Sequence, residues 1–284
     1  MKDKRKNKIT DYHRIYHLYY DRFKLLALNM FRWEGLPPSI QGRNIEKALY
    51  DYGKAVFFED ENLGVGLMCL GAMDGDKYNV HGDPLNVIAT GYNFNKKVTL
   101  DDSTVLLYNN DLALPTHEYV DQYAHEMAEV KRSINANIRL QKFPYLFETN
   151  KNNKNSLKQL FKEIEDGEPA IFGNKDINIE GINVLGLQVP YVADKLNEYR
   201  YDLEREILTF FSLNNTFEKK ERLLVDEINS NNDFISRQAE IMYQCRLKVA
   251  EELKKKFGYD VKVIKTNDLY NKLKEEGKTW EDIQ

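Results

Sequence analysis

The chain of 284 residues carries 41 Lys and Arg against 45 Asp and Glu, so its formal net charge is −4. Proteins that coat nucleic acid tightly are usually basic overall, and this balance argues against that class. With 42% hydrophobic and 30% charged residues, the composition is that of a folded globular protein. No apolar run reaches the ~18 residues of a membrane helix, no signal peptide is visible, and Cys69 and Cys245 form no disulfide framework.

The chain begins with a basic tail, residues 1–12, and an amphipathic segment follows it. Five basic residues in the tail stand against one acid: Lys2, Lys4, Arg5, Lys6 and Lys8. Such a run is typical of an arm that contacts RNA, DNA or an acidic partner, although a short charged terminus can also serve solubility alone. Apolar residues at spacings of three and four from Ile15 to Trp33 predict a helix over residues 13–34, which the prolines of the following GLPPS segment would end.

A β-rich region and a long helix come next. Short runs of β-forming residues lie between Ala55 and Tyr108, separated by Gly, Asp and Asn. This pattern predicts a small antiparallel sheet or barrel within residues 35–115. Thr116 is suited to cap a helix over residues 116–143, because its hydroxyl can accept a hydrogen bond from a backbone N–H of the first turn.

The following segments are a mixed region over residues 144–189 and a third long helix over residues 190–213. At ~100° per residue, the third helix has an apolar face and, nearly opposite, an acidic one. The acidic face consists of Asp194, Glu198, Asp202 and Glu206. Lys195 is expected to be their only close basic neighbour. A stripe of this kind is usually a solvated surface, but it would gain a role if many copies lined a channel.

After the third helix the sequence becomes long and polar. We expect a loop over residues 214–233, and then a final helix and strand within residues 234–284. A polar connection of this length is unusual inside a compact domain unless it is functional or disordered.

We found no catalytic or metal-binding motif in the sequence. It has no GxxxxGK[ST] nucleotide loop and no GxSxG nucleophile elbow. The HEMAE segment from His125 to Glu129 lacks the second histidine of a HExxH zinc motif, and His13 and His17 form an i, i+4 pair without a third ligand nearby. We therefore expect no catalytic residue, cofactor or metal, and a structural or binding protein rather than an enzyme.

Five segments follow one another in a characteristic order and spacing. They are WEGLPPSI (33–40), YNNDLALPT (108–116), SLKQLF (156–161), PYVADKLN (190–197) and EKKERLLVDEINSN (218–231). Together they resemble the upper-collar proteins of phi29-like podophages, also called portal proteins or head–tail connectors. The resemblance implies a ring at one capsid vertex. Such a ring is a conduit for packaging and ejecting double-stranded DNA, and the packaging motor and the tail dock on it.

The fold that this resemblance implies is α+β, with stem helices bundled around a channel, a small SH3-like wing and a mixed α/β clip. The implied parts are the basic tail (1–12), an outer helix (13–34), the wing (35–115), a stem helix (116–143), the clip (144–189), a channel-lining stem helix (190–213), a tunnel loop (214–233) and a wide-end region (234–284). The long polar segment would thus be a loop that projects into the channel and touches DNA.

The resemblance also implies roles for individual residues. The acidic face of the third helix would line the DNA channel. Lys195 matches one of the two channel lysines of related connectors, whereas Gly186 stands where the other would be. Lys219, Lys220 and Arg222 in the tunnel loop would touch phosphate transiently. The basic tail would contact the motor or a packaging RNA, as its counterpart does in relatives.

The implied partners are further copies in a homododecamer, double-stranded DNA, a packaging ATPase, a packaging RNA where the phage uses one, lower-collar and tail proteins, and the major capsid and scaffolding proteins. The protein would be assembled in the host cytoplasm, reside in the virion and contact no membrane. From the residues alone, the alternative is a monomeric or dimeric nucleic-acid-binding protein that uses its basic tail. That protein would bind free DNA or RNA tightly, and added salt would weaken the binding.

Overall fold

The computed structural model describes residues 11–61, 64, 66–142, 145–149, 182–186, 190–211 and 225–268. Helices and strands alternate along this part of the chain. They are α1 (Asp11–Leu28), β1 (Phe31–Glu34), α2 (Gly42–Tyr52), β2 (Lys54–Glu59), β3 (Leu67–Asp74), β4 (Asn86–Gly91), β5 (Phe94–Thr99), β6 (Thr104–Tyr108), α3 (His117–Lys142), β7 (Tyr145–Thr149), β8 (Ile182–Gly186), α4 (Ala193–Phe210), α5 (Val225–Phe257) and β9 (Lys262–Lys265).

The chain divides into two compact units, of which the first comprises Met1–Glu129 and Arg200–Gln284. It contains an antiparallel sheet with the strand order β5-β4-β3-β2-β6. One face of the sheet buries an apolar core that consists of Val56, Phe58, Ala72, Val87, Ala89 and Val98. The edge strand β6 is covered by α5, where the Lys256 ammonium donates to the Thr104 carbonyl at 2.8 Å. This contact blocks an edge at which another chain could otherwise pair.

The β-rich region predicted over residues 35–115 is not β-structure throughout. It contains a helix, α2, which buries Ile45 and Leu49 and ends at Gly53, where φ is 71°. A side chain at Gly53 would be strained at this φ and would also run into the backbone near Pro115. Residues 86–99 form β4 and β5 with a turn between them, where Asn93 has φ 55°. Asn tolerates this conformation, which the alternation of apolar residues did not reveal.

The first helix is shorter than the predicted range 13–34, because α1 ends at Leu28 and Trp33 lies on β1. The side-chain amide of Asn29 donates to a backbone carbonyl of the last turn at 2.7 Å and helps to close the helix. β1 then pairs antiparallel with β9, where Trp33 lies opposite Val263. This pairing joins segments near the two ends of the chain, and the periodicity of a local segment cannot predict such a distant partner.

The expected loop over residues 214–233 is partly helical, since α5 begins at Val225. Residues 212–224 lie outside the described part of the chain. The second half of α5 is anchored by buried side chains, which are Ala239, Met242, Arg246, Val249, Ala250 and Leu253. Once a helix has formed, each added residue gains a hydrogen bond at little further cost, so α5 extends through the polar INSNND segment.

The region predicted over residues 234–284 therefore begins inside a helix. α5 ends at Phe257, and Gly258 follows in the left-handed conformation (φ 80°), with its N–H bonded to the Lys254 carbonyl at 3.0 Å. The predicted strand corresponds to β9, and residues 269–284 lie outside the described part.

The second unit, Val130–Tyr199, contains the end of α3, the β7–β8 ladder and the start of α4. Asn137 connects the two helices here. Its amide nitrogen donates to the Pro190 carbonyl at 2.9 Å, and its oxygen accepts from the Val192 N–H at 3.2 Å. Of the predicted segment 144–189, the structure describes only the two strands.

The two longest predicted helices have clear counterparts. The helix expected over 116–143 corresponds to α3, and the helix expected over 190–213 corresponds to α4, which starts three residues after Pro190. Each has an apolar stripe at helical spacing and a proline at or before one end, so the local sequence is sufficient to define it.

Candidate functional site

The α4 helix buries one face and exposes the opposite one. Leu203 and Ile207 are buried at 3% and 0% exposure. The predicted acidic residues all lie on the exposed side: Asp194, Glu198, Asp202 and Glu206. Lys195 is exposed between them. The apolar positions, repeating every three or four residues, direct one side of the helix into the core, and the acids at i+4 spacing are left in solvent.

The acidic face has a second basic neighbour, contrary to the expectation that Lys195 would be the only one. Arg205 forms an ion pair with Asp202 one turn earlier on the same helix. Both side chains are about half exposed, so this pair adds little stability but neutralises part of the local charge. Glu198 has no hydrogen-bond or ion-pair partner among the residues that the structure describes.

Two tyrosines donate to the ends of the acidic face. Tyr191 donates to Asp194 at 3.1 Å, and Tyr123 on α3 donates to Glu206 at 3.3 Å. The hydrogen bond to Asp194 raises the pKa of Tyr191, while burial, together with the Glu206 charge, raises the pKa of Tyr123. Both phenols therefore stay protonated at neutral pH and remain donors.

The acidic stripe is not a flat wall. A four-residue step advances about 400° around an α-helix, so each successive acid is turned by about 40° relative to the last. From Asp194 to Glu206 the stripe consequently winds by about 120° around α4. Its two ends face different neighbours, and only part of it can face any one surface.

A further acid on the same helix, Glu204, is buried at 4% exposure and was not singled out in the sequence. The Arg22 guanidinium on α1 lies 2.8 Å from it, and Arg200 lies 3.3 Å from it. This cluster fastens α1 to α4. The sequence does contain a signal for this residue. Glu204 does not share the four-residue spacing of the exposed acids, and it lies next to the apolar stripe of the helix.

The most extensive buried polar contact in the described part of the chain joins α5 to the α2 helix. Arg246, at 2% exposure, makes two hydrogen bonds to Glu46, of 2.9 and 2.7 Å. Trp33 donates to the same carboxylate at 2.7 Å, and Asn109 accepts from the guanidinium at 3.2 Å. The Phe31 ring stacks 4.1 Å from the guanidinium carbon. Arg246 has the spacing of the apolar residues on the buried side of α5. This spacing was the signal in the sequence that its side chain is buried.

The histidines noted in the sequence lie on the surfaces of α1 and α3. His125 contacts the Tyr12 hydroxyl and lies 3.6 Å from Asp121, and Tyr16 donates to the same carboxylate at 2.5 Å. His13 and its neighbours join no cluster of three ligands, and among the described residues no group of His, Cys, Asp and Glu could hold a metal ion. The HEMAE segment is therefore part of an amphipathic helix: Met127 and Ala128 are buried, and His125 is exposed and contacts α1.

Two predicted sites fall outside the described residues. They are the basic tail, with Lys2, Lys4, Arg5, Lys6 and Lys8, and the tunnel-loop cations Lys219, Lys220 and Arg222. Gly186, at the position of the missing lysine, is the last residue of β8. In the described part of the chain, no helix is long and apolar enough to cross a membrane.

Comparison with solved structures finds similarity to chains from phage structures. The chain is similar to one in the portal and tail of native bacteriophage P68, with 19% sequence identity and a TM-score of 0.47 over 96% of this chain and 94% of that chain. It is also similar to an HK97 family phage portal protein from Corynebacterium diphtheriae, with 10% identity and a TM-score of 0.37 over 67% of this chain and 71% of that chain.

The family described as Phage Connector (GP10) matches residues 1–270, which is nearly the whole chain. This match confirms the resemblance seen in the five sequence segments, and it gives no support to a separate nucleic-acid-binding protein. The chain therefore belongs to the phage connector family, and it is a head–tail connector, or portal, protein of a phage virion.

Proposed function

We propose that this connector assembles as a homododecameric ring at one capsid vertex, and that double-stranded DNA passes through the ring during packaging and ejection. The family match over residues 1–270 carries the proposal. The acidic residues of α4 support it, because all four are exposed and are therefore available to line a channel in a ring of copies.

In this proposal α3 and α4 are the stem helices around the channel, and α1 is the outer helix behind them. Contacts in the first unit support the position of α1, since Tyr16 reaches Asp121 on α3 and Arg22 reaches Glu204 on α4. The five-stranded sheet is the SH3-like wing. Its order supports this assignment, because β2 to β5 pair in sequence and β6 returns to pair with β2. The β7–β8 ladder belongs to the clip, where the motor and later the tail proteins dock.

The channel needs to guide DNA without holding it. Each phosphate that a cation neutralises adds affinity and salt dependence, so a conduit has to limit such contacts. We propose that Asp194, Glu198, Asp202 and Glu206 keep the phosphate backbone away from the wall, and that Lys195 provides one ring of cations. Gly186 leaves the second ring of related connectors without a counterpart. A separate ATPase then supplies the work of packaging.

The solution mass of the purified chain tests the ring. We expect light scattering after gel filtration to give a mass near twelve times the 33.4 kDa of the monomer, with ring-shaped particles in negative stain. A monomer or dimer at every concentration and salt, also in the presence of scaffolding protein, would contradict the proposal.

The segment before α5 is proposed to touch DNA in the tunnel. Replacing Lys219, Lys220 and Arg222 with Ala is expected to leave the ring intact and to impair packaging or retention of DNA, because transient phosphate contacts are removed. Packaged DNA per particle, measured with the solution mass of the same variant, checks this. A variant that no longer forms rings would show that the segment is structural instead.

The basic tail is proposed to dock the motor or a packaging RNA. Deleting residues 1–8 is expected to leave ring assembly unchanged and to weaken motor or RNA binding, since five cations are lost. Binding of the packaging complex to wild-type and truncated rings, compared at two salt concentrations, measures the effect. Equal binding and equal packaging would rule out the docking role.

Capsid, scaffolding and lower-collar proteins complete the proposed partners.

A further inference from the structure

The second unit carries opposite charges on its two helices. Between Val130 and Lys142 the chain has four basic residues and no acid. Lys131 and Arg139 of this segment are exposed and form no ion pair or hydrogen bond within the described residues. On the start of α4, Asp194 and Glu198 are exposed. One helix therefore offers a cationic face and the next an anionic face, called below the α3 basic face (Lys131 and Arg139) and the α4 acidic edge (Asp194 and Glu198).

The α3 basic face points away from the α4 helix of its own chain. Asn137 marks the side of α3 that faces α4, because it bonds to Pro190 and Val192. At about 100° per residue, Lys131 and Arg139 lie about 120° and 160° around the helix from Asn137. The two cations are thus turned outward from the helix pair.

The α4 acidic edge is turned away in the same manner. The Val192 N–H bonds to Asn137 of α3, and Leu196 lies one turn after Val192 and is half-buried, so we infer that Leu196 is on the inner side of α4. Asp194 and Glu198 each lie two residues from Leu196, which places them about 160° around the helix from it. The pair of helices therefore has cations on one outer side and carboxylates on the other.

A pair of helices with opposite charges on its two outer sides can pack side by side with further copies of itself. When identical subunits associate head to tail, two different patches have to be complementary, and a closed ring results if the rotation closes. We propose that the α3 basic face of one subunit docks on the α4 acidic edge of the next copy. This inference rests on the proposed ring and identifies which surfaces of the second unit form its subunit contact.

Exposed apolar groups accompany both charged surfaces. Ile138 is 42% exposed and lies about 20° around the helix from Lys131, so it belongs to the basic face. Tyr191 is 59% exposed, and its hydroxyl bonds to Asp194. A contact that pairs charges around an aliphatic and an aromatic side chain has the composition of a specific protein interface. Asp194 and Glu198 then belong to the subunit contact, and the channel role is left to Asp202 and Glu206, because the stripe winds by about 120° between Asp194 and Glu206.

Charge reversal tests the contact in full-length protein. We would make K131E/R139E on the α3 basic face and D194R/E198R on the α4 acidic edge. Because each variant brings like charges together, we expect each alone to raise the protein concentration for half-assembly at least about tenfold, as read by mass photometry. The control is K248E/K255E on α5, which changes the net charge by the same amount as K131E/R139E and is expected to assemble like wild type.

Mixing the two variants gives the decisive result. In an alternating ring every contact would again pair opposite charges, so the mixture is expected to form rings at wild-type concentration. Circular dichroism and the melting temperature of each variant report whether it is folded. Rings formed by either variant alone as readily as by wild type, or two folded variants that form no rings when mixed, would overturn the inference. A wild-type chain that never forms rings would instead overturn the proposed function and this inference with it.

Discussion

Replacing Arg246 with Met is expected to lower the free energy of unfolding by about 3–5 kcal/mol, which is typical when one partner of a buried ion pair is removed. Arg246 and Glu46 are only 2% and 4% exposed, and two hydrogen bonds join them. Methionine fills a similar volume but, among the described residues, leaves Glu46 with only the Trp33 N–H as its side-chain donor. A carboxylate in this position then lacks a compensating charge.

Urea unfolding at one fixed protein concentration measures this loss, since the stability of an assembled protein depends on concentration. The control is Lys254→Ala, which removes a pair with Asp260 in which both side chains are 66% exposed. That change is expected to cost far less than Arg246→Met, because solvent screens an exposed pair. Arg246→Lys should give an intermediate loss, because it keeps the charge and loses the two-pronged geometry. If Arg246→Met and Lys254→Ala lowered stability equally, the buried pair would not be the anchor of α5.

The sequence predicts those parts of the fold whose cause is local. The apolar stripes of α3 and α4 gave both helices almost to their ends. The end of α1 was wrong, because Trp33 belongs to β1, whose partner β9 lies more than two hundred residues away in sequence. The beginning of α5 was wrong for a related reason. Residues 225–233 lack a helical signature of their own, and the anchored part of the helix beyond Ala239 carries them.

The same distinction, between local and long-range causes, applies to the residues of the candidate site. Surface residues such as Glu198 could be placed from spacing alone, because exposure needs only the absence of apolar character. Buried charges could not, since Arg246 and Glu204 depend on partners from distant segments. Arg205 lies three residues from Asp202 and within the angle that the stripe covers, so the spacing contained this cation, and the expectation that Lys195 would be the only close one was wrong. The surface that the proposed channel would present to DNA depends on how further copies of the chain are arranged, and a single sequence does not contain that arrangement.

Replacing Asp202 and Glu206 with Lys is expected to change the proposed ring from a weak DNA binder into a strong, salt-sensitive one. The two residues lie at the end of the stripe near α3, in the part turned farthest from Asp194. Each subunit then gains two cations where it had two carboxylates. If six or more phosphates are neutralised, affinity for double-stranded DNA should fall by about 10³-fold or more between 50 and 200 mM salt. The wild-type ring should show weak binding with a shallow dependence on salt.

The control for this change is E251K/E252K on α5, which replaces two exposed acids and alters the net charge by the same amount. Binding of a linear duplex, followed by fluorescence anisotropy across a salt series, separates the two variants. A steep salt slope for Asp202→Lys/Glu206→Lys and a shallow one for the control would mean that position, and not total charge, governs contact with DNA. Equal slopes would mean that this part of α4 does not face the duplex. In that case the carboxylates would be solvated surface, and the channel wall would have to be sought on another helix.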